Sequence, residues 1–269
     1  MSEARTDITY VNPFDDPSIG RRYGSKVAIV TGAASGIGRA TAIRLAAEGA
    51  SVWCGDVNEE GLKETIATIV DNGGTAHGGR LDVTDPAACA DVVAEVVALY
   101  GGLDVVCNIA GIGGSRHTLE ETPERLNAMF AVNAAGPLYL SQAALPQLLE
   151  RKGNIVNLAS TAGVIGQAYC VAYCASKHAL VGITKAMAIE YGRTGVRVNA
   201  VCPGGVNTNI LGGFMPPEGS SMSLISRSFL TRDMQEPESV AAMVAYVGSD
   251  EAYYVNGAVL TIDGGTTTG

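Results

Sequence analysis

Residues 31–38 read Thr-Gly-Ala-Ala-Ser-Gly-Ile-Gly, and they join an apolar run, Val27–Val30, directly to a helical pattern over Ile37–Glu48. Glycine is required where a side chain would hold a pyrophosphate away from the backbone, or a helix away from its strand. The first turn of a helix also offers unpaired N–H groups and the positive end of its dipole to an anion. The stretch therefore predicts a phosphate-binding turn, although the same glycines also fit an ordinary tight turn.

The chain beyond this turn alternates short apolar runs with longer helical stretches. The predicted strands are Val27–Val30, Ser51–Cys54, Thr75–Leu81, Val105–Cys107, Ile155–Leu158, Val196–Val201 and Ala258–Ile262. The predicted helices between them are Ile37–Glu48, Asn58–Val70, Pro86–Tyr100, Leu126–Leu149 and Val171–Tyr191. Near-continuous apolar strands separated by helices are typical of a parallel sheet covered on both faces. The pattern predicts an α/β fold with a single doubly wound, Rossmann-type sheet of about seven strands.

Two segments lie outside this alternation. Residues 1–24 contain prolines, glycines and an Arg21-Arg22 pair without apolar periodicity, which predicts an irregular N-terminal arm, either disordered or packed on a neighbouring subunit. Residues 209–233 form a long insertion that contains methionine and glycine before the final helix. The remaining length suits one α/β domain, so we expect a single dinucleotide-binding catalytic domain over 25–269.

The composition restricts the class of partner and the compartment. A net charge of −9 with scattered Lys and Arg argues against nucleic acid or an anionic membrane and favours a small-molecule ligand. No apolar run approaches the ~18 residues of a membrane span, and an acidic N-terminus replaces the basic-then-apolar pattern of a signal peptide. The six cysteines lack zinc spacing and the three histidines are dispersed, so we expect no metal. We therefore expect a cytoplasmic protein with free thiols.

Asp56 ends the second predicted strand, about 20 residues beyond the glycines. A carboxylate at this position accepts hydrogen bonds from both hydroxyls of an adenosine ribose and repels a 2′-phosphate. The turn Gly32–Gly36 contains no Lys or Arg to offset such a phosphate, and the nearest cation, Arg39, is expected on the helix surface. The pattern therefore favours NAD over NADP, with a helix cap or loop carboxylate as the alternative role for Asp56.

Polar groups also follow the third and fourth predicted strands. Asp82 and Val83 end the third strand, and Asn108–Gly111 (Asn-Ile-Ala-Gly) end the fourth. Both groups are expected at the carboxyl edge, where open α/β sheets bind ligands. Each alone also fits a plain strand-to-loop transition, and Asn108 equally fits a residue that satisfies neighbouring backbone groups.

Tyr173 and Lys177 lie four residues apart in the predicted helix Val171–Tyr191, so they share a face of that helix. An ammonium near a phenol oxygen favours phenolate and lowers the pKa of tyrosine towards the range that general acid–base chemistry uses at neutral pH. The spacing alone is close to what chance produces, so the pair needs support from other residues.

Ser160 gives that support because it follows Ile155–Leu158 at the same sheet edge as the glycine turn. A hydroxyl there hydrogen-bonds the substrate oxygen and stabilises the charge that develops on it. Thr161 offers the same group, and either hydroxyl also fits a turn cap. Tyr169 is a rival to Tyr173, but it lies in the preceding loop, which favours a role in the pocket wall.

Together these residues resemble the classical short-chain dehydrogenase/reductase family, over about Lys26 to Gly265. The matches to the family motifs are the glycine turn (Thr31, Gly32, Gly36, Gly38), the Asp-Val pair (Asp82, Val83) and the Asn-Asn-Ala-Gly segment (Asn108 to Gly111). Ile109 replaces the second asparagine of that segment, which is expected to disturb local hydrogen bonding more than catalysis. The interval of 13 residues from Ser160 to Tyr173 (173 − 160) is the family's usual one.

The resemblance implies hydride transfer between NAD(H) and a secondary alcohol or ketone. It implies that Tyr173 passes the proton and Ser160 orients the reacting oxygen, while Lys177 also binds the nicotinamide ribose and Asn133 holds a water in a proton relay. It implies cofactor contacts at Gly32, Ser35, Gly36, Ile37, Gly38, Asp56, Asp82, Val83, Asn108, Ala110, Gly111, Tyr173, Lys177, Pro203, Val206 and Thr208. The helices Leu126–Leu149 and Val171–Tyr191 resemble those through which the family assembles, which implies a homotetramer.

Residues 209–233 resemble the family's mobile substrate lid. The apolar members of this segment are Ile210, Leu211, Phe214, Met215, Met222, Leu224, Ile225, Phe229 and Leu230. An apolar lid favours an apolar alicyclic or steroid-like substrate, although the same residues fit an ordinary helix pair. A 3-oxoacyl thioester-type carbonyl reductase is the alternative enzyme, against which Asp56 counts, and a non-catalytic NAD-binding regulator is the alternative from another class.

Overall fold

The computed structural model describes residues 12–16, 19–228 and 234–268. Its strands are β1 (Val27–Thr31), β2 (Ser51–Asp56), β3 (Thr75–Arg80), β4 (Val105–Asn108), β5 (Asn154–Leu158), β6 (Arg197–Pro203) and β7 (Val259–Ile262). They pair in parallel into one sheet in the order β3-β2-β1-β4-β5-β6-β7. The predicted doubly wound α/β fold is confirmed, and the order reverses between β1 and β4.

Helices cover both faces of this sheet. Their bounds are α1 (Gly36–Ala47), α2 (Glu59–Asp71), α3 (Pro86–Tyr100), α4 (Pro123–Phe130), α5 (Gly136–Arg151), α6 (Val171–Tyr191), α7 (Met222–Ile225) and α8 (Pro237–Val247). One core cluster takes buried side chains from α1, α2 and α8, and a second takes them from α3, α5 and α6. Because β1, β5 and β6 are buried along their whole length between these layers, they are mostly apolar, although β5 and β6 also contain buried polar residues.

Local side chains set where several helices begin. The Asn58 side chain accepts a hydrogen bond from the Gly61 N–H and caps α2, and Asp85 caps α3 in the same way, next to Pro86 in the first turn. Gly101 ends α3 in the left-handed conformation, with φ of 79°. These caps explain why the predicted bounds of α2 and α3 agree with the structure to within one residue.

The predicted helix Leu126–Leu149 differs from the observed one. It starts earlier, at Pro123, and a single π-helical turn, Ala131–Ala135, separates α4 from α5. Pro137 lacks the N–H that would bond the carbonyl of Asn133 four residues back, so the regular α-helical ladder is interrupted at this point. The wide turn carries Asn133, which is fully buried.

The end of the predicted N-terminal arm is tied to the domain. Arg22 donates two hydrogen bonds to the buried carboxylate of Glu48, and the buried Tyr23 hydroxyl donates to the carbonyl of Ala245 at 2.6 Å. Residues 1–11 and 17–18 of the arm, and 229–233 of the predicted lid, lie outside the described residues. Within the described ranges, no helix combines the length and the apolar character that a bilayer crossing needs.

Candidate active site

A cavity of about 460 Å³ opens at the carboxyl edge of the sheet, beside the point where the strand order reverses. Its wall includes the glycine turn after β1 and the residues that follow β2, β4, β5 and β6. Sixteen sequence-predicted residues line it, namely Gly32, Ser35, Gly36, Ile37, Gly38, Asp56, Asp82, Val83, Ala110, Gly111, Ser160, Tyr173, Lys177, Pro203, Val206 and Thr208. The predicted Asn108 and Asn133 do not line the cavity.

The glycine turn has no space for side chains. A Cβ atom on Gly38 would lie 2.0 Å from the carbonyl oxygen of Gly32, and one on Gly32 would lie 2.9 Å from the backbone of Ala110. Gly36, which starts α1, has a φ of 52° that few other residues adopt. Ser35 at the N-cap makes no capping hydrogen bond with its side chain. The bare backbone at the start of α1 thus fits a dinucleotide pyrophosphate.

Asp56 has a structural role at the end of β2 as well as a place in the cavity wall. One carboxylate oxygen accepts the Ala34 N–H at 3.0 Å, and the other accepts the Asn58 N–H at 2.9 Å. The cap of α2 is Asn58, so the predicted alternative of a helix cap at Asp56 does not hold. Each carboxylate oxygen has more than one acceptor site, so Asp56 keeps the capacity to accept from ribose hydroxyls.

Arg39 is the cation nearest to the glycine turn in sequence, and its guanidinium is engaged within the protein. It donates to the carbonyl oxygens of Ala34 at 2.7 Å and Gly61 at 3.1 Å, and to the hydroxyl of Thr65 at 3.0 Å. It also forms an ion pair with Glu64 at 2.8 Å. These four acceptors hold the guanidinium against α2.

Tyr173 and Ser160 both line the cavity, where the Ser160 side chain interacts with that of Tyr173, and both residues are at most 9% exposed. The Ser160 hydroxyl also accepts the Ala162 N–H at 3.1 Å, so it caps the turn that begins at Thr161 as well. The Thr161 hydroxyl instead accepts a hydrogen bond from Gln167. The structure therefore brings Ser160, and not Thr161, to Tyr173.

Burial changes the proton affinity of the tyrosine and lysine pair. It raises the pKa of Tyr173 to about 12, and the hydrogen bond from Ser160 opposes this rise only in part. It lowers the pKa of Lys177 to about 8. Burial thus outweighs the lowering of the Tyr173 pKa that the Lys177 ammonium was expected to produce. The Lys177 ammonium lies 5.9 Å from the centre of the phenol ring and donates instead to the Leu158 carbonyl at 2.7 Å.

Asn133 lies behind the cavity wall and joins three elements. Its side chain accepts the Ile112 N–H at 2.9 Å and donates to the Ile112 carbonyl at 2.8 Å and to the Ser176 hydroxyl at 3.0 Å. The Ser176 hydroxyl donates to the Tyr173 carbonyl at 2.8 Å. A Cβ atom on Gly111 would lie 3.1 Å from Asn133 Oδ1 and 3.5 Å from Lys177 Nζ, so these two polar groups flank one glycine.

Comparison with known proteins places this geometry in a family. Residues 32–267 match a family model described as enoyl-(acyl carrier protein) reductase. The chain is 39% identical over 246 residues to meso-2,3-butanediol dehydrogenase of Serratia marcescens, which covers 91% of this chain and 96% of that protein. It is 36% identical over 249 residues to cyclohexanol dehydrogenase of Acinetobacter sp. (strain SE19), which covers 92% and 97%. The chain belongs to the short-chain dehydrogenase/reductase family.

A solved structure supports the same assignment. The crystal structure of a short chain dehydrogenase from Mycobacterium paratuberculosis bound to NAD has a TM-score of 0.86 and 30% identity, and covers 92% of this chain and 100% of that one. The protein is thus a short-chain dehydrogenase/reductase that interconverts a secondary alcohol and a ketone with a nicotinamide cofactor. Its substrate is a small molecule.

Asn108 of this short-chain dehydrogenase/reductase points away from the cavity. It is 2% exposed, and its amide donates to Asn157 Oδ1 at 2.8 Å and to the Ser141 hydroxyl at 3.2 Å. The Asn157 amide in turn donates to the Thr184 hydroxyl at 2.9 Å. The side chain thus satisfies neighbouring polar groups between the sheet, α5 and α6, which is the alternative role that the sequence left open.

The described part of the predicted lid, residues 209–228, is held over the cavity by four hydrogen bonds, one of which the Ser115 N–H donates to the Gly213 carbonyl at 2.9 Å. Ser115 donates to the Met215 carbonyl at 2.6 Å, the His117 Nε2 atom lies 2.8 Å from the Glu218 carbonyl oxygen, and the Tyr169 hydroxyl accepts the Ser221 N–H at 2.8 Å. Tyr169 is thus a wall residue that contacts the lid, as its place in the loop indicated.

Phe214 connects the lid to the tyrosine of the site. Its ring lies edge-on to the ring of Tyr173, with the centres 5.0 Å apart. Sequence reasoning did not single out Ser176 or Gln167, both of which contact the residues of the site. Ser176 had one usable signal, a small polar residue three positions after Tyr173 on the same helix, whereas Gln167 lies in a loop and had none.

Proposed function

We propose that this enzyme uses NAD in preference to NADP. The observation that supports the choice is the pairing of Asp56 in the cavity wall with an Arg39 that is engaged elsewhere. A 2′-phosphate near Asp56 would meet a carboxylate without a free cation from the turn, and like charges at short range oppose binding. The relative of known structure that is bound to NAD is consistent with this proposal.

We propose that Tyr173 transfers the proton and that Ser160 orients the reacting oxygen. Bound nicotinamide would accept or deliver the hydride. As a phenolate, Tyr173 takes the hydroxyl proton of the alcohol, and as a phenol it returns a proton to the ketone oxygen. Ser160 lies beside Tyr173 in the cavity wall, so an oxygen bound by both groups meets two preformed partners.

Lys177 and Asn133 support this proton transfer in the proposal. A pKa of about 8 keeps Lys177 largely charged at neutral pH, and this charge favours the phenolate form of Tyr173 across 5.9 Å. Lys177 would also bind the nicotinamide ribose, and Asn133 would hold a water that continues the proton path. The remaining residues proposed to contact the cofactor are those of the glycine turn, the ends of β2 to β4, and Pro203, Val206 and Thr208 after β6, all of which line the cavity except Asn108.

We propose an apolar alicyclic or steroid-like secondary alcohol as the substrate. The wall opposite the glycine turn includes Ile112, Cys170 and Phe214 together with apolar lid residues. Apolar walls with few polar groups suit an apolar ring, and a relative is named for cyclohexanol. We also propose a homotetramer, on the family resemblance, which light scattering tests, and a cytoplasmic location.

The test incubates the purified protein with NAD⁺ or NADP⁺ and a panel of cyclic secondary alcohols, and follows the absorbance of reduced nicotinamide. We expect NAD⁺ to be preferred, and we expect Tyr173→Phe to lose at least about 100-fold in kcat, since a general acid–base group contributes about 10²–10⁴-fold. Tyr169→Phe is the matched control because it removes a hydroxyl from the same cavity wall.

Equal activity of wild type and Tyr173→Phe would contradict the proton role. A preference for NADP⁺ would contradict the role of Asp56. Activity on 3-oxoacyl thioesters but on no cyclic alcohol would favour the acyl substrate that the description of the family model suggests.

A further inference from the structure

A single amide lies in the part of the cavity wall that the loop after β5 contributes. Gln167 is half-buried there and lines the cavity with Tyr169 and Cys170. Neither the cofactor contacts nor the proton transfer proposed above uses this side chain. A polar group in a mostly apolar wall fixes the orientation of a ligand.

The backbone of Gln167 is fixed to the first turn of α6. Its N–H donates to the Cys174 sulfur at 3.4 Å, and its carbonyl accepts the Cys170 N–H at 3.3 Å. Both partners flank Tyr173 in the chain. The position of Gln167 is therefore set by the same helix turn that sets the position of Tyr173.

Only one of the two polar atoms of the Gln167 side chain is held by a hydrogen bond to another described residue. Its Nε2 donates to the Thr161 hydroxyl at 3.1 Å, and Thr161 is 2% exposed and follows Ser160 directly. Within the described part of the chain, the amide oxygen of Gln167 has no hydrogen-bond partner. If the amide were turned over, Nε2 would be the unpartnered atom instead, so one polar atom remains in either orientation.

We infer that the cavity binds a cyclic secondary alcohol that carries a second hydroxyl or carbonyl oxygen near the reacting one, and that Gln167 binds this second oxygen. The inference deepens the proposed function and rests on it, because Ser160 and Tyr173 bind the reacting oxygen. A hydroxyl both donates and accepts, so it satisfies either orientation of the amide. The substrate class is then cyclic diols and hydroxyketones.

The size of the effect follows from the loss of one neutral hydrogen bond. Such a bond contributes about 1 kcal/mol, and a site that hydrogen-bonds a hydroxyl discriminates against the analogue that lacks it. Gln167 is only half-buried, so water hydrogen-bonds its amide when the second oxygen is missing and reduces the binding free energy that is lost. We therefore expect a preference of about threefold to fivefold for the diol, which lies mainly in KM.

The experiment measures kcat and KM with NAD⁺ for cyclohexanol, 1,2-cyclohexanediol and 1,3-cyclohexanediol. We expect wild type to prefer at least one diol over cyclohexanol by about threefold to fivefold in kcat/KM, and Gln167→Leu to lose this preference. Thr161→Val, which removes the anchor of the amide, should lose part of it. Gln142→Leu makes the same change at an exposed position of α5 and should keep the wild-type ratio.

The outcomes separate this inference from the proposed function. If wild type oxidises cyclohexanol and both diols equally well, the inference is wrong and the proposed function stands. If no alcohol is oxidised, the proposed function is wrong, and calorimetric titration of the enzyme with the same three alcohols decides the inference. Equal affinities for all three, or a diol preference that Gln167→Leu retains, would overturn it.

Discussion

The two sides of the cavity are built in different ways. The cofactor side, at the glycine turn, depends on backbone atoms so close together that a Cβ on Gly38 would lie 2.0 Å from a carbonyl oxygen. The lid side, over residues 209–228, depends on four hydrogen bonds to the loop 115–117 and Tyr169, and on the contact of Phe214 with Tyr173. A side chain added on the first side meets steric limits, whereas a side chain truncated on the second removes a few replaceable contacts. We expect function to be much more sensitive on the cofactor side.

Gly38→Ala tests the steric limit of the cofactor side and carries the largest expected effect. The added methyl overlaps the Gly32 carbonyl, and overpacking of this kind costs about 1–3 kcal/mol even where the structure adjusts. Because the adjustment displaces the turn that binds the pyrophosphate, we expect NADH affinity, measured by fluorescence titration, to fall about 10- to 100-fold.

Gly182→Ala is the matched control for this change. It places the same methyl in α6, where nothing lies within 4 Å of it. Alanine is favoured over glycine inside a helix by about 1 kcal/mol, so the control should be neutral or slightly stabilising. An NADH affinity of Gly38→Ala equal to that of the control would show that the turn is not limited by sterics.

Lys177, which lies between the two sides, gives a pH-dependent test of burial. Its pKa falls from an ordinary 10.5 to about 8 in the folded protein, so between these pH values the unfolded chain binds more protons. Burial of the Lys177 ammonium lowers the free energy of unfolding at neutral pH, and this loss becomes smaller as the pH rises. Relative to Lys177→Met, we expect wild type to gain about 1–3 kcal/mol in the free energy of unfolding between pH 7 and 10, measured by urea denaturation.

Lys185→Met is the control, because Lys185 lies on the same helix and is exposed. Its stability difference from wild type should stay constant over this pH range. A constant difference for Lys177→Met as well would mean that the ammonium of Lys177 is better solvated than its burial indicates.

Phe214→Ala tests the lid side and carries the smallest expected effect. An edge-to-face aromatic pair contributes about 0.5–1.5 kcal/mol, so we expect kcat/KM for a cyclic alcohol to fall about tenfold. The affinity for NADH should change less than about twofold, since the cofactor side is untouched. Met215→Ala, at a lid side chain that is 71% exposed, should leave both values near wild type. If NADH affinity in Phe214→Ala fell as much as kcat/KM, the two sides of the cavity would not be functionally distinct.

The contrast between the two sides also explains what the sequence could predict. A strand that is buried on both faces is rich in apolar residues, and a turn with closely packed backbone contains glycines. Both patterns are visible in the sequence, so the sheet and the residues after β1 and β2 could be predicted. The π-helical turn was not predicted, because its cause at Pro137 acts on a hydrogen bond four residues away. The raised pKa of Tyr173 depends on how deeply its helix is packed, which the spacing to Lys177 does not contain.

Gln167 and Arg39 show the same limit in side-chain partners. The amide of Gln167 is placed by Thr161 and by the first turn of α6, none of which forms a repeating pattern with it. Arg39 was expected on the surface of α1, but four acceptors around α2 hold it, and these partners meet only when β1 and β2 pair. Contacts between side chains that are distant in sequence can therefore be identified only from the folded structure.

The number of hydrogen bonds that the Ser160 hydroxyl can form limits what else can bind to it. A hydroxyl has one proton and two lone pairs, hence room for three hydrogen bonds. The Ala162 N–H occupies one lone pair, which leaves the proton and the other lone pair for Tyr173 and an incoming oxygen. Once both are bound, Ser160 has no place left for a water molecule. The serine therefore cannot hold a water molecule beside the reacting oxygen, whatever the position of the lid.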